Sequence, residues 1–254
     1  MFINNINPDI ITVGPLSIRF YGMVYALGFL LINHILMQVS KKKKIKNLTN
    51  DRVSDLVVWS MILGIIGARI FNTIIEWGYY SKNPAQIIAI WNGGLAYQGG
   101  LAFALVYIYY YCKKYKISVI KLTDIVAAPM ALTIAFGRIA NFINSEHLGF
   151  VTNVSWCVKF VRVDDLCRHP AQIYQAFTQF LLFGILILLG KHTKKIGIRT
   201  WTFITGYGFL RFITDFYRTD MSRILFGLTL TQIVNLLMFF IGLYFIIKKV
   251  NDKI

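Results

Sequence analysis

The sequence is short of the groups with which enzymes hold metals and nucleotides. Its three cysteines, Cys112, Cys157 and Cys167, make no metal-ligand spacing. It carries neither a P-loop nor a cluster of metal ligands, so no metal and no other cofactor is expected. It has no internal repeat, low-complexity tract or linker, which leaves a single integral-membrane body over residues 1–254 as the expectation. The opening MFINNINPDI has no basic n-region, so the first apolar run reads as a retained span and not as a cleaved signal peptide. Acidic residues are also few: 11 Asp and Glu stand against 27 Lys and Arg, a net charge of +16.

A basic chain can bind nucleic acid, but the placement of these cations argues against it. Most sit in four short clusters between apolar runs: Lys41–Lys44 with Lys46 and Arg52; Lys113, Lys114, Lys116 and Lys121; Lys191, Lys194, Lys195 and Arg199; and Lys248, Lys249 and Lys253. Clusters at alternate ends of spans are what the positive-inside bias produces, and their expected partner is anionic lipid.

What is abundant is apolar sequence, 56% of the residues, with a mean hydropathy of +0.58. Seven stretches approach the length that crosses a bilayer: Ile18–Val39, Val53–Ile75, Ile87–Cys112, Asp124–Ile143, Ala171–Gly190, Trp201–Tyr217 and Leu228–Ile247. They are too long and too uniformly apolar for barrel strands. The expected fold is all-α and polytopic, with seven transmembrane helices, the N-terminus outside and the C-terminus in the cytoplasm. Asn144–Arg168 is the largest outward segment and is polar enough to cap the bundle. Cys157 and Cys167 both fall in it. A disulfide between them is open, and two free thiols is the plainer reading.

The polar residues inside spans are the informative ones, because ionisable groups at membrane depth are costly and face a cavity or a partner. Arg69, Arg138 and Arg211 lie in spans two, four and six, which all run outward. Arg69 and Arg138 fall late in theirs and Arg211 somewhat deeper. Guanidinium binds phosphate through two bonds and stays charged. Three such groups heading for one leaflet point to an anionic-headgroup site. Asp215, four residues after Arg211, reads first as its neutralising partner. Two glycine pairs interrupt span three, at Gly93-Gly94 and Gly99-Gly100. They allow a broken helix or close helix packing, and Asn92 and Gln98 beside them favour a polar cavity.

Read together, these segments resemble the prolipoprotein diacylglyceryl transferase family. Gly137-Arg138-Ile139-Ala140-Asn141-Phe142-Ile143-Asn144-Ser145-Glu146-His147-Leu148-Gly149 looks like that family's GRxxNFINxExxG signature. Gly14-Pro15 with Arg19-Phe20-Tyr21-Gly22, then Gly67-Ala68-Arg69, then Gly93–Gly100 match in order. His169-Pro170-Ala171-Gln172-Ile173-Tyr174 and Tyr207-Gly208-Phe209-Leu210-Arg211-Phe212 with Asp215 and Arg218 follow.

The resemblance implies a bacterial inner-membrane enzyme. It would move diacylglycerol from phosphatidylglycerol to the lipobox cysteine of a preprolipoprotein, releasing glycerol 1-phosphate. It implies Arg138 and Arg211 as catalytic groups. Asn141, Tyr21 and Tyr207 would bond the headgroup, with Glu146 orienting Arg138 or the outer loop. Gly149, Arg69 and Gln98 complete the implied lipid site. Many members carry His where Gln98 stands, and that His has been proposed as the base. Here the thiol is expected to ionise in the field of the arginines, with His169 a weaker alternative base and more simply an interfacial contact. A transporter of an anionic solute or lipid is the competing class. A retinal protein is disfavoured, because Leu228–Ile247 holds no lysine.

Overall fold

A computed structural model describes residues 1–13 and 16–251. Gly14, Pro15, Lys253 and the side chain of Asn92, all used in the sequence reading, lie outside the described residues. The helices are α1 (Phe20–Lys41), α2 (Asn50–Ile75), the single turn α3 (Trp77–Tyr80), α4 (Tyr97–Lys114), α5 (Val119–Asn144), α6 (Ala171–His192), α7 (Ile198–Thr214) and α8 (Leu230–Asn251). Short strands lie outside the long helices: β1 (Phe2–Asn4), β2 (Asp9–Val13), β3 (Leu16–Arg19), β4 (Val158–Phe160), β5 (Cys167–Arg168), β6 (Arg223–Leu225) and β7 (Leu228–Thr229).

The protein is mainly helical and is a multi-pass membrane protein. Five helices, α1, α2, α5, α6 and α8, are long and apolar enough to cross a bilayer. Their lateral faces expose large apolar residues such as Leu30, Ile74, Phe177 and Leu237. Their buried faces carry small residues, as in Ala127, Ala128, Ala131 and Ala135 of α5. That inversion suits a lipid solvent, where close packing between helices replaces the hydrophobic drive.

The chain divides into two compact units. The second, Val13–Ser17 with Phe29–Leu122, is built on the pair α2 and α4. A Cβ on Gly99 would stand 2.3 Å from the carbonyl oxygen of Gly67, so only glycine permits this approach. Thr49 starts α2 by accepting from the backbone N–H of Arg52 at 3.3 Å.

The sequence reading made Ile87–Cys112 one span and left a broken helix open at its glycine pairs, and the structure shows the break. Pro84–Ile87 and Ile90–Asn92 are 3₁₀ turns, and α4 begins only at Tyr97. The cause is local. Gly93 and Gly94 take φ of +86° and +72°, which a right-handed helix cannot contain. The freed carbonyls are claimed by Arg69. Its guanidinium donates to the carbonyls of Ile87 at 2.8 Å, Gly93 at 2.6 Å, Gly94 at 2.8 Å and Ala89 at 3.1 Å, and also to that of Gln86.

The first unit holds Met1–Thr12, Ile18–Gly28 and Thr123–Ile254. Helices α5 and α7 run parallel within it. Near their starts Thr123 and Thr200 share a hydroxyl hydrogen bond of 2.9 Å. Asp124 accepts from the Thr200 N–H at 2.8 Å and from the Gly197 N–H, so a carboxylate anchors the positive end of α7. The first part of α1 runs antiparallel to α5. A Cβ on Gly28 would meet Thr133 at 2.4 Å, and the Tyr25 hydroxyl lies 3.9 Å from the Cβ position of Gly137.

Outside the helices, β1 pairs with β4 in parallel and β4 with β5 antiparallel. Phe142, Val158 and Phe160 form a small core beneath them. Cys157 and Cys167 are joined as a disulfide with Cα atoms 5.5 Å apart, so the reading of two free thiols does not hold. Cys157 lies just before β4 and Cys167 in β5, so the antiparallel pairing of these strands brings them near, which residue spacing alone does not reveal.

Candidate active site at the ends of two parallel helices

The parallel run of α5 and α7 brings Arg138 and Arg211 together. Both lie in the last turns of their helices, Arg138 six residues before the end of α5 and Arg211 three before the end of α7. The sequence placed Arg211 deeper in its span, but α7 stops at Thr214, so Arg211 stands in its last turn. Arg211 is 6% exposed. Its Nε pairs with Oδ1 of Asp215 at 3.2 Å, and Nη1 of Arg218 approaches the same oxygen at 3.6 Å. Asp215 therefore neutralises Arg211, as its spacing on the helix suggested.

Arg138 is held by a relay. Its Nη1 donates to Oδ1 of Asn141 at 3.3 Å, and Nδ2 of Asn141 donates to Oε2 of Glu146 at 3.0 Å. Glu146 thus reaches Arg138 through the asparagine. Tyr207 lies one turn before Arg211 on the same face of α7. Tyr21 shares a 3.1 Å hydroxyl hydrogen bond with Tyr25, whose hydroxyl lies against α5 at Gly137, the residue before Arg138. Tyr25 was missed in the sequence. Its signal was available, because a residue four after Tyr21 shares its helix face.

The segment after α5 closes over this group of side chains. A Cβ on Gly149 would fall 2.2 Å from the carbonyl oxygen of His169, and Gly149 also bridges antiparallel to Arg218. His169 bonds the Tyr174 hydroxyl through Nδ1 at 3.1 Å and packs edge-on against Tyr217. These contacts give His169 a packing role just before α6. His147 and Arg218 both bond Asp220. Burial pushes the Asp220 carboxyl up, but the bonds from His147 and Arg218 outweigh it and hold the group well below the usual carboxylate range.

Tyr21, Arg138, Asn141, Glu146, Gly149, Tyr207 and Arg211 all belong to the first unit, and Arg69 and Gln98 to the second. A guanidinium has five N–H donors. Those of Arg69 are all committed to backbone carbonyls of residues 86–94, so Arg69 holds the glycine-rich segment in shape. Gln98 is exposed in the first turn of α4.

The model of the prolipoprotein diacylglyceryl transferase family matches residues 8–248. The chain belongs to that family. It is 35% identical over 257 residues to the phosphatidylglycerol–prolipoprotein diacylglyceryl transferase of Rickettsia rickettsii (strain Sheila Smith), covering 98% of each chain. The proteins of the same name from Finegoldia magna and Streptococcus agalactiae serotype Ia are each 36% identical to it. The first aligns over 92% of both chains and the second over 98%.

Proposed function

We propose that this chain transfers the diacylglyceryl group of phosphatidylglycerol to the lipobox cysteine of preprolipoproteins. It does so as a seven-span protein of the bacterial inner membrane, N-terminus outside and C-terminus cytoplasmic. In this reading α4 and α7 are the two shorter spans, and residues 144–168 cap the outer face. The observation that carries the proposal is that Arg138 and Arg211, near the same ends of two parallel helices, are each steadied by their own carboxylate: Glu146 through Asn141, and Asp215 directly.

The lipobox sulfur attacks the glycerol carbon of the diacylglyceryl group. The S–C bond forms, the C–O bond to phosphate breaks, and its electron pair leaves on glycerol 1-phosphate. The thiol proton is released, since thiolate is the nucleophile and the arginine field favours it. Arg138 and Arg211 stabilise charge growing on the leaving phosphate without reorganising. Tyr21, Tyr207 and Asn141 bond the headgroup, and Gly149 lets the outer segment close on it. Arg69 holds residues 86–94, just before the first turn of α4 that carries Gln98. No residue pattern or contact favours the transporter class.

The test is transfer in membranes with a lipobox peptide and phosphatidylglycerol. Arg138→Ala and Arg211→Ala are each expected to abolish it. Activity retained in both variants would remove the site assignment.

A further inference from the structure

Three polar atoms around one carboxylate are buried and have no hydrogen-bond partner among the described residues. They are Oε1 of Gln175, Oδ2 of Asp215 and Nη1 of Arg211. The three residues are 2%, 3% and 6% exposed. The other oxygen of Asp215 links them, accepting from Nε2 of Gln175 at 3.4 Å and pairing with Nε of Arg211 at 3.2 Å. Buried polar atoms are costly to leave unpaired, so a cluster of them marks a place that a ligand completes.

The set is mixed, with two acceptors and one donor. A phosphate offers acceptors alone, so it would satisfy Arg211 and leave Gln175 and Asp215 unmet. The ligand must bring hydrogen-bond donors as well. An ammonium would bring them, but Arg138, Arg211 and Arg218 all act on this one carboxylate, and a further cation would be repelled. A hydroxyl donates without charge and also accepts from Arg211.

Gln175 is the member of a row, Gln172, Gln175 and Gln179 on the buried side of α6, that bonds this pair. Nε2 of Gln172 is committed to the Glu146 carbonyl at 2.5 Å; Oε1 of Gln172 and of Gln179 are also unpartnered among the described residues, but it is Gln175 that bonds Asp215. The 3.4 Å contact of Gln175 is the longest hydrogen bond at the cluster, and so the one a headgroup hydroxyl displaces.

We infer that Gln175, with Asp215, reads the hydroxyls of a glycerol headgroup and so selects a polyol phospholipid over one that carries an ammonium. The inference rests on the transferase reading and deepens it, because it names what is recognised beyond the phosphate. A site built to bond a hydroxyl rejects analogues that lack one.

The test compares phosphatidylglycerol with phosphatidylpropanol, which keeps the phosphate and lacks the hydroxyls, and with phosphatidylethanolamine. Transfer to a lipobox peptide is measured, along with equilibrium binding of the short-chain lipids to the full-length protein in micelles. The wild type is expected to favour phosphatidylglycerol about tenfold or more, the worth of one or two neutral hydrogen bonds. Gln175→Met keeps the length and loses the amide. It is expected to cut that ratio severalfold through KM and Kd.

Equal binding of phosphatidylglycerol and phosphatidylpropanol by the wild type overturns the inference whether or not the variant folds. Equal weakening of both lipids in Gln175→Met overturns it too, since that is a packing effect. A wild type that binds with preference but transfers nothing sinks the transferase reading and supports this one. Transfer without preference does the reverse.

Discussion

Arg211 and Asp215 form an ion pair one helical turn apart, Nε to Oδ1 at 3.2 Å, with both side chains almost wholly withdrawn from solvent. Arg218 approaches the same carboxylate from the following 3₁₀ turn. Asp215 is thus the shared counter-charge for two buried guanidiniums. Removing one member of a buried pair strands the other, and costs more than the pair itself contributes.

Asp215→Ala is therefore expected to destabilise the protein by about 3–5 kcal/mol. Asp215→Glu, which keeps the charge, should recover most of that. Thermal unfolding in detergent reads both, and an Ala variant as stable as wild type would show the pair to be energetically idle.

Arg211→Lys tests the geometry rather than the charge. Lysine keeps +1 but presents a single ammonium where a planar fork now stands. The pairing with Asp215 should survive in part, so the fold holds. The rate should fall about a hundredfold, as when one preorganised donor to a developing charge is lost. Transfer kinetics beside the melting temperature separate the two effects.

Asn141 and Glu146 act as one device, and a double-mutant cycle exposes this. Glu146→Ala frees Asn141 to swing away from Arg138, and Asn141→Ala leaves Glu146 with nothing to orient. Each alone should lower kcat/KM by a similar factor, and the double variant should be little worse than either. Additive losses would show that Glu146 reaches Arg138 by some other route.

Much of this arrangement was legible in the sequence, and the parts that were not share a cause. Helices α1, α2, α5, α6 and α8 follow from apolar runs, because lipid demands that their backbones bond internally. Arg138 and Arg211 follow from the cost of charge at depth. Arg69 carried the same signal, an arginine late in an apolar span, yet its donors all go to carbonyls in residues 86–94. Hydropathy counts those residues as span and cannot see that a side chain has taken over their backbone bonds.

The pairing of β1 with β4 and the Cys157–Cys167 bridge depend on contacts between distant or folded-back segments, which local patterns do not carry. The glutamine row at 172, 175 and 179 was visible at helical spacing in an otherwise apolar run. Polar residues without charge draw less notice than arginines, although in lipid they too need partners.

Arg69→Lys should loosen the segment it holds. Lysine offers three donors from one point, against five spread over a plane. The carbonyls of Gly93 and Gly94 cannot both be kept. Hydrogen exchange is expected to rise across residues 84–96 while the amides in the middle of α2 stay protected. Unchanged exchange there would mean that the two glycines hold the break without help.

The Asp220 carboxyl supplies a pH dependence with a definite sign. Its folded-state value is depressed, because the bonds from His147 and Arg218 outweigh the effect of burial. The stability it contributes is therefore fully present above the ordinary aspartate value near 4, and is lost as pH falls through the depressed value. The carboxylate is about a third exposed, so solvent limits the contribution to about 1 kcal/mol. Asp220→Asn should lower the melting temperature by a few degrees at pH 7, and the difference should shrink progressively as pH falls below the ordinary aspartate value. The contact it fixes also joins the outer segment at His147 to Arg218, so the variant should raise KM for the lipid more than it lowers kcat. A melting-temperature difference that grows on acidification would reverse the sign and discard the linkage.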